Sequence, residues 1–194
     1  VSPSPHRHLD AMAVAGAAAV LTKNVPIATS VVDTVRRHPA MLAQTALTLD
    51  HLSGGRFILG LGSGETENTV PYGFDFSTPV SRFEEAVRVI RLLWEREGPV
   101  DFAGQFFRLY HARMDTELYN GRCPPIWIGA SGPRMLEITG RYADGWWPAG
   151  AWTPEDFAAK LALVRDSAER AGRDPMAIVP AFIIISLIGD DDEL

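Results

Sequence analysis

Apolar runs of strand length alternate with longer amphipathic stretches along this sequence, and that alternation predicts an α/β fold with a parallel sheet. Two further observations make the fold a (β/α) barrel in incomplete form. The connections between runs are helical rather than hairpin-like, with one exception, as parallel strands require. About five main strands are visible, whereas a closed barrel needs eight. Residues 1–194 are read as one domain, a barrel truncated at both ends, with room for a sizeable core.

The elements follow in order. Pro5-His6-Arg7-His8 and the alanine-rich run Ala11 to Leu21 imitate a secretory leader. Asp10 beside the run, and its passage straight into Lys23 and a strand, favour a packed helix instead, since alanine is the best helix former. The run is too short to span a bilayer. His6 and His8 lack further ligands and are read as loop residues. Val25 to Val32 is a β-rich run ending in Asp33. Pro39 opens a helix with Leu42, Ala46 and Leu49 on one face, closed by Gly54-Gly55. Phe57 to Leu61 is a buried strand, continuously apolar with a β-branched centre. Pro79 begins the next helix, with Thr78 as N-cap and Phe83, Val87, Ile90 and Trp94 as its apolar stripe. Ser81-Arg82-Phe83-Glu84 also fits a capping box, which would start the helix a turn later.

Val100 to Leu109, with Ala103-Gly104 near its middle, is the exception, a hairpin insertion. Pro125 to Gly129 is a second buried strand. Pro133 starts a helix carrying Met135, Leu136, Thr139 and Tyr142. Asp144 to Pro148 reads as a strand end, and Thr153-Pro154 opens a helix ended by Gly172. The apolar run Ile178 to Ile188 is the last strand, and Asp190 to Glu193 looks like the first turn of another helix.

Composition narrows the function. Asp and Glu total 24 against 18 Lys and Arg, a net charge of -6, so there is no basic footprint for nucleic acid. The single cysteine, Cys123, excludes an intrachain disulfide framework and fits a reducing cytoplasm. Flanked by Pro124 and Pro125, it is read as structural.

The chemistry is expected after the strand at Phe57, in Gly60-Leu61-Gly62-Ser63-Gly64-Glu65 and Asn68. Glycines let the chain turn sharply and approach a ligand. Glu65 adds a titratable carboxylate and Asn68 an amide that both donates and accepts. The pattern is G-x-G-x-G, not the G-x-G-x-x-G of a dinucleotide site, and it leads into a loop over Thr69 to Phe74 instead of a helix. On this motif alone, a tight turn with a surface glutamate explains the residues equally well.

Taken together, the motifs resemble the luciferase-like monooxygenase superfamily, (β/α)8 barrels that bind FMN or the deazaflavin coenzyme F420. The resemblance rests on Ala28 to Asp33, Arg37-His38-Pro39-Ala40, Ser53 to Arg56, Gly60 to Glu65 with Asn68, and Arg82 to Glu85. Ile128 to Pro133 and Arg141 to Gly145 continue it. Arg37-His38-Pro39, Pro71-Tyr72-Gly73, Pro133 to Leu136 and Ala171 to Met176 are most similar to the mycobacterial phthiodiolone ketoreductases, which reduce a lipid ketone. The resemblance implies a cis peptide between Ser30 and Val31 against the coenzyme ring, with Asp33 just past it. It implies Glu65 as the acid near the reacting ring, Asn68 as a coenzyme-bonding residue, and Gly129, Ala130, Ser131 and Gly132 as a backbone cradle.

The activity implied is hydride transfer, F420-dependent, to or from a carbonyl or carbinol carbon of a small molecule. Trp146, Trp147, Trp152 and Phe74 point to an apolar substrate surface, while Trp94 and Trp127 are read as packing. Ala149 and Trp152 stand where a sugar-phosphate branch carries threonine and lysine, which disfavours a sugar phosphate. The N-terminal strands that bring an acidic residue and a histidine to the coenzyme in many relatives have no counterpart here. An FMN-dependent monooxygenase and a non-catalytic fragment are the alternatives. No metal is expected, and a complete form would be a homo-oligomer. The 194 residues alone are expected to associate through uncovered sheet edges and to turn over little.

Overall fold

A computed structural model describes residues 9–95, 97–148, 150 and 153–183. The parallel sheet follows the predicted order. Helix α1 (Ala11–Leu21) precedes β1 (Ile27–Ala28) and β2 (Val32–Asp33), and then come α2 (Pro39–Ser53) and β3 (Phe57–Gly62). The crossover from β3 carries a one-turn α3 (Thr66–Thr69), α4 (Pro79–Glu95) and the hairpin β4 (Val100–Ala103) with β5 (Arg108–Ala112). Next are β6 (Ile126–Ile128), α5 (Pro133–Tyr142), β7 (Gly145–Trp146), α6 (Pro154–Arg170) and β8 (Val179–Pro180). The strands lie in the order β1, β3, β6, β7, β8, all parallel, with β2 also paired to β3. This is an open arc of a (β/α) barrel, and the hairpin stands apart from it.

The core lies between the arc and its helices. Phe57, Leu59 and Leu61 of β3 and Ile126 and Ile128 of β6 alternate toward Leu42, Phe83, Ile90 and Leu136, all essentially inaccessible. The intervening Ile58 and Trp127 point to the other face and are only partly buried. Both predicted helix stripes are found inside, including Ala46 and Leu49 of α2 and Val87 and Trp94 of α4. The Trp94 indole N–H donates to the Ala43 carbonyl at 3.2 Å, so this tryptophan is packing, as expected. Gly54 caps α2 at φ 69. Asp10 caps α1 by accepting from the Ala13 amide at 3.0 Å. Among the described residues, no helix is long and apolar enough to cross a membrane.

Two expectations change, and the hairpin is found as expected. The single run Val25 to Val32 is two short strands broken at Thr29 to Val31. The segment after the glycines is not plain loop: α3 and a 3-10 turn at Val70–Tyr72 wind there. Thr69 makes this possible, being wholly buried with its hydroxyl on the Glu65 carbonyl at 2.8 Å, a contact that local propensity does not announce. The hairpin turn falls at Gly104–Phe107, and buried Glu85 holds it by accepting both the Phe106 and Phe107 amides. His6, His8 and the Asp190 to Glu193 segment lie outside the described residues, as does the last strand beyond residue 183.

Candidate functional site at the carboxyl rim of the sheet

The carboxyl ends of β2, β3, β6 and β7 form one rim, the end where a (β/α) fold carries its chemistry. Its first feature is a bulge. Ala28 pairs with Ile58 and Val32 with Leu61, so three residues of one strand face two of the other. Such an insertion breaks the ladder and re-aims a side chain. The Ser30–Val31 peptide within it is cis, as the resemblance implied. The Thr29 hydroxyl fills the broken ladder, donating to the Gly60 carbonyl at 2.8 Å and accepting from the Gly60 amide at 3.0 Å.

Val31 is the re-aimed residue. It is 42% exposed and lies across two neighbouring strands. A Cβ on Gly62 would stand 2.5 Å from Val31 Cγ2, and one on Gly129 would stand 3.3 Å from Val31 Cγ1. These two glycines therefore make the seat for the valine. Gly64 has its own reason: it turns at φ +90, and a Cβ there would press on Asp33 Cβ at 3.2 Å and the Phe76 ring at 3.3 Å.

The rim's two carboxylates differ. Asp33 is buried and committed to its own loop. One oxygen accepts the Val35 and Arg36 amides at 3.0 and 2.8 Å, and the other pairs with the Arg36 guanidinium at 2.7 Å. Asp33 thus shapes the turn after β2. Glu65 is exposed and carries one side-chain partner that the geometry defines, the Asn68 amide, which donates to Oε2 at 2.9 Å. Glu65 and Asn68 are brought together by α3, with Glu65 at its N-cap position. A carboxylate there opposes phosphate binding, so the glycine loop is not a dinucleotide site.

On β6 the small-residue loop is pinned from both sides. The Gly129 amide donates to the Leu61 carbonyl at 2.9 Å, and Trp146 donates its indole N–H to the Ala130 carbonyl at 2.9 Å. The Ser131 carbonyl accepts from Lys160 Nζ at 3.1 Å. Gly132 sits exposed at the N-cap of α5 and supplies no side-chain cap, so the first amides of the helix have no side-chain acceptor from it.

The aromatic residues divide. Trp146 is wholly buried, stacked at 4.8 Å on Phe157, and has no face at the surface. Its part is to hold the Ala130 loop. Trp147 is half-buried against Trp127, ring centroids 5.3 Å apart, and Trp127 fills the space that Gly145 leaves. Phe74 is 39% exposed on the loop after α3. Trp152 and Ala149 lie outside the described residues. Sequence reasoning missed Thr29, whose partner is 31 residues away and leaves no local signal. Among the described residues, no three His, Cys, Asp or Glu side chains gather as a metal site.

An open parallel barrel with a bulged strand, a glycine seat and a carboxylate at its carboxyl rim defines the class. The chain belongs to the luciferase-like monooxygenase family, whose model matches residues 2–194. It is 49% identical over 166 residues to a phthiodiolone/phenolphthiodiolone dimycocerosates ketoreductase of Mycobacterium sp. strain JLS, covering 84% of this chain and 44% of that protein. It is 37% identical over 163 residues to an F420-dependent glucose-6-phosphate dehydrogenase of Nakamurella multipartita, covering 81% of this chain and 47% of that one. Among solved structures, an F420-dependent secondary alcohol dehydrogenase in complex with an F420-acetone adduct superposes with a TM-score of 0.84 at 30% identity. That match covers 94% of this chain and 57% of the other. The chain thus spans about half the length of the relatives it matches.

Proposed function

We propose that this chain forms part of the pocket of an F420-dependent oxidoreductase acting on a carbonyl or carbinol carbon of an apolar small molecule. The observation that carries the reading is Val31, an exposed apolar side chain raised on Gly62 and Gly129 at the same strand-end rim as the Glu65–Asn68 pair. A flat heteroaromatic ring fits such a platform, because apolar contact from below leaves its polar edges to the rim. The F420-dependent relatives support the same choice over FMN.

Bound F420 would supply the hydride donor or acceptor. This chain's residues would do the rest. Val31 supports the ring, and Asn68 orients Glu65 while offering a hydrogen bond to the coenzyme. The backbone of Gly129, Ala130, Ser131 and Gly132 lies alongside, and the uncapped amides of α5 suit an anionic group. Glu65 gives a proton to the carbonyl oxygen as it becomes an alkoxide, or removes it from the carbinol in the reverse direction. Trp147 and Phe74 supply apolar surface for the substrate, while Trp146 and Asp33 act by holding loops.

Titrating the intact gene product separately with F420 and FMN, followed by coenzyme fluorescence, tests the reading. Saturable F420 binding with weaker FMN binding is expected. FMN binding without F420 binding would overturn it in favour of a flavin monooxygenase.

A further inference from the structure

We infer that Thr29 is a positioning residue for the coenzyme, acting through Val31, an inference that rests on the reading just proposed. The bulge leaves Gly60 opposite a stretch of strand that offers it no regular ladder. Both its amide and its carbonyl turn instead to one atom, Thr29 Oγ1. Thr29 is 3% exposed, so water does not compete for these bonds. Gly60 must be glycine for the approach, since a Cβ would overlap the Thr29 carbonyl.

The consequence is geometric. Two residues on, Val31 has no hydrogen-bonding side chain of its own and is 42% exposed. Its height over Gly62 and Gly129 is set from the glycine side by van der Waals contact and from the strand side by where Thr29 is tied. Serine keeps the hydroxyl. Valine keeps the shape and leaves two buried Gly60 groups unpaired, which permits the bulge to shift. A displaced Val31 would then present the ring with a tilted or lowered platform.

The test measures F420 affinity by fluorescence titration and melting temperature side by side, in the intact gene product. Thr29→Val is expected to weaken F420 binding roughly tenfold, with Thr29→Ser restoring most of it. Gly62→Ala approaches Val31 from the opposite side without touching the Thr29 bonds and is expected to give a similar loss. A Thr29→Val protein that melts earlier but binds F420 like the wild type has lost only stability, and the inference fails. If Thr29→Val does not fold, Gly62→Ala decides: unchanged affinity overturns the role of Val31's placement. Absence of F420 binding in the wild type would instead sink the proposed function, so the two failures are distinguishable.

Discussion

The two ends of the parallel strands are built in opposite ways. At the amino ends, charged side chains are used up on the backbone. Arg56, just before β3, donates to the carbonyls of Ser53, Ala19, Thr22 and Val25 and to the Thr22 hydroxyl. Asp144, just before β7, accepts from Arg91 at 2.7 Å and from the Ile126 amide at 2.8 Å. Arg173 closes the same corner on the Gly140 and Ala143 carbonyls, both at 2.7 Å. Burial pulls the Arg173 pKa below its ordinary value, and the Asp144 charge opposes that.

At the carboxyl ends, Asp33 apart, the pattern reverses. Glu65 stands exposed with Asn68, Val31 faces outward, and α5 begins without a side-chain cap. A base whose charges are saturated holds strand register. A rim whose groups remain open has something left to offer a ligand. The difference marks the carboxyl rim as the candidate face, and four changes probe the contrast.

The largest effect is expected at the rim. Glu65→Gln in a complete enzyme should lower turnover by about 10²–10⁴-fold, because the amide keeps the shape but cannot transfer the proton. F420 affinity should change far less. Steady-state rates alongside a binding titration check this, and wild-type turnover would remove Glu65 from the chemistry.

At the base, Asp144→Ala should lower stability by about 1–3 kcal/mol, since it leaves the Ile126 amide and two guanidinium groups short of an acceptor. The range allows for an Asp144 side chain that is 36% exposed. Denaturant unfolding reads the loss. Coenzyme affinity per folded molecule should stay as it was, and a selective loss of affinity would blur the division between the two ends.

Trp146→Phe crosses between them. It removes the bond to the Ala130 carbonyl while keeping an aromatic ring against Phe157. A stability loss of about 1 kcal/mol is expected. Hydrogen exchange should rise at the amides of Ala130 to Gly132 and not across the base.

The smallest effect concerns pH. His38 caps α2 by accepting the Ala40 amide on Nδ1 at 3.2 Å, which needs an unprotonated nitrogen, and its ring meets Phe107 at 5.3 Å. Desolvation lowers its pKa from the ordinary 6.5. Its contribution is therefore present in full above that ordinary value. It is lost as pH falls through 6.5 toward the lowered native one. His38→Asn retains a capping acceptor and should flatten this part of the stability-versus-pH curve, measured by thermal melts across the interval.

The helices were the most legible elements. Pro39, Pro79, Pro133 and Pro154 each stand at a helix start, and Gly54 and Gly172 follow helix ends, because proline and glycine act through local dihedrals that need no partner. The apolar periods of α2 and α4 fixed their buried faces for the same reason. Strand interiors at Phe57 and Ile126 were legible from continuous apolarity. So was the concentration of unusual residues at one strand end, and the family pattern supplied their expected roles.

What the sequence could not carry depended on distance along the chain. The break at Thr29 exists because β3 opposes three residues with two, and Gly60 and Gly62 acquire their reasons only when Thr29 and Val31 arrive over them. Trp146 reads as a surface aromatic beside Trp147, yet strand alternation turns one inward to Phe157 and leaves the other half-buried at the rim. Asp33 and Glu65 are both acids at strand ends. Only the folded chain gives the first an arginine and two amides, and leaves the second open to a ligand. Local backbone preference and periodicity decided the elements of this protein; contact between residues far apart in the chain decided which of its polar groups remain available for chemistry.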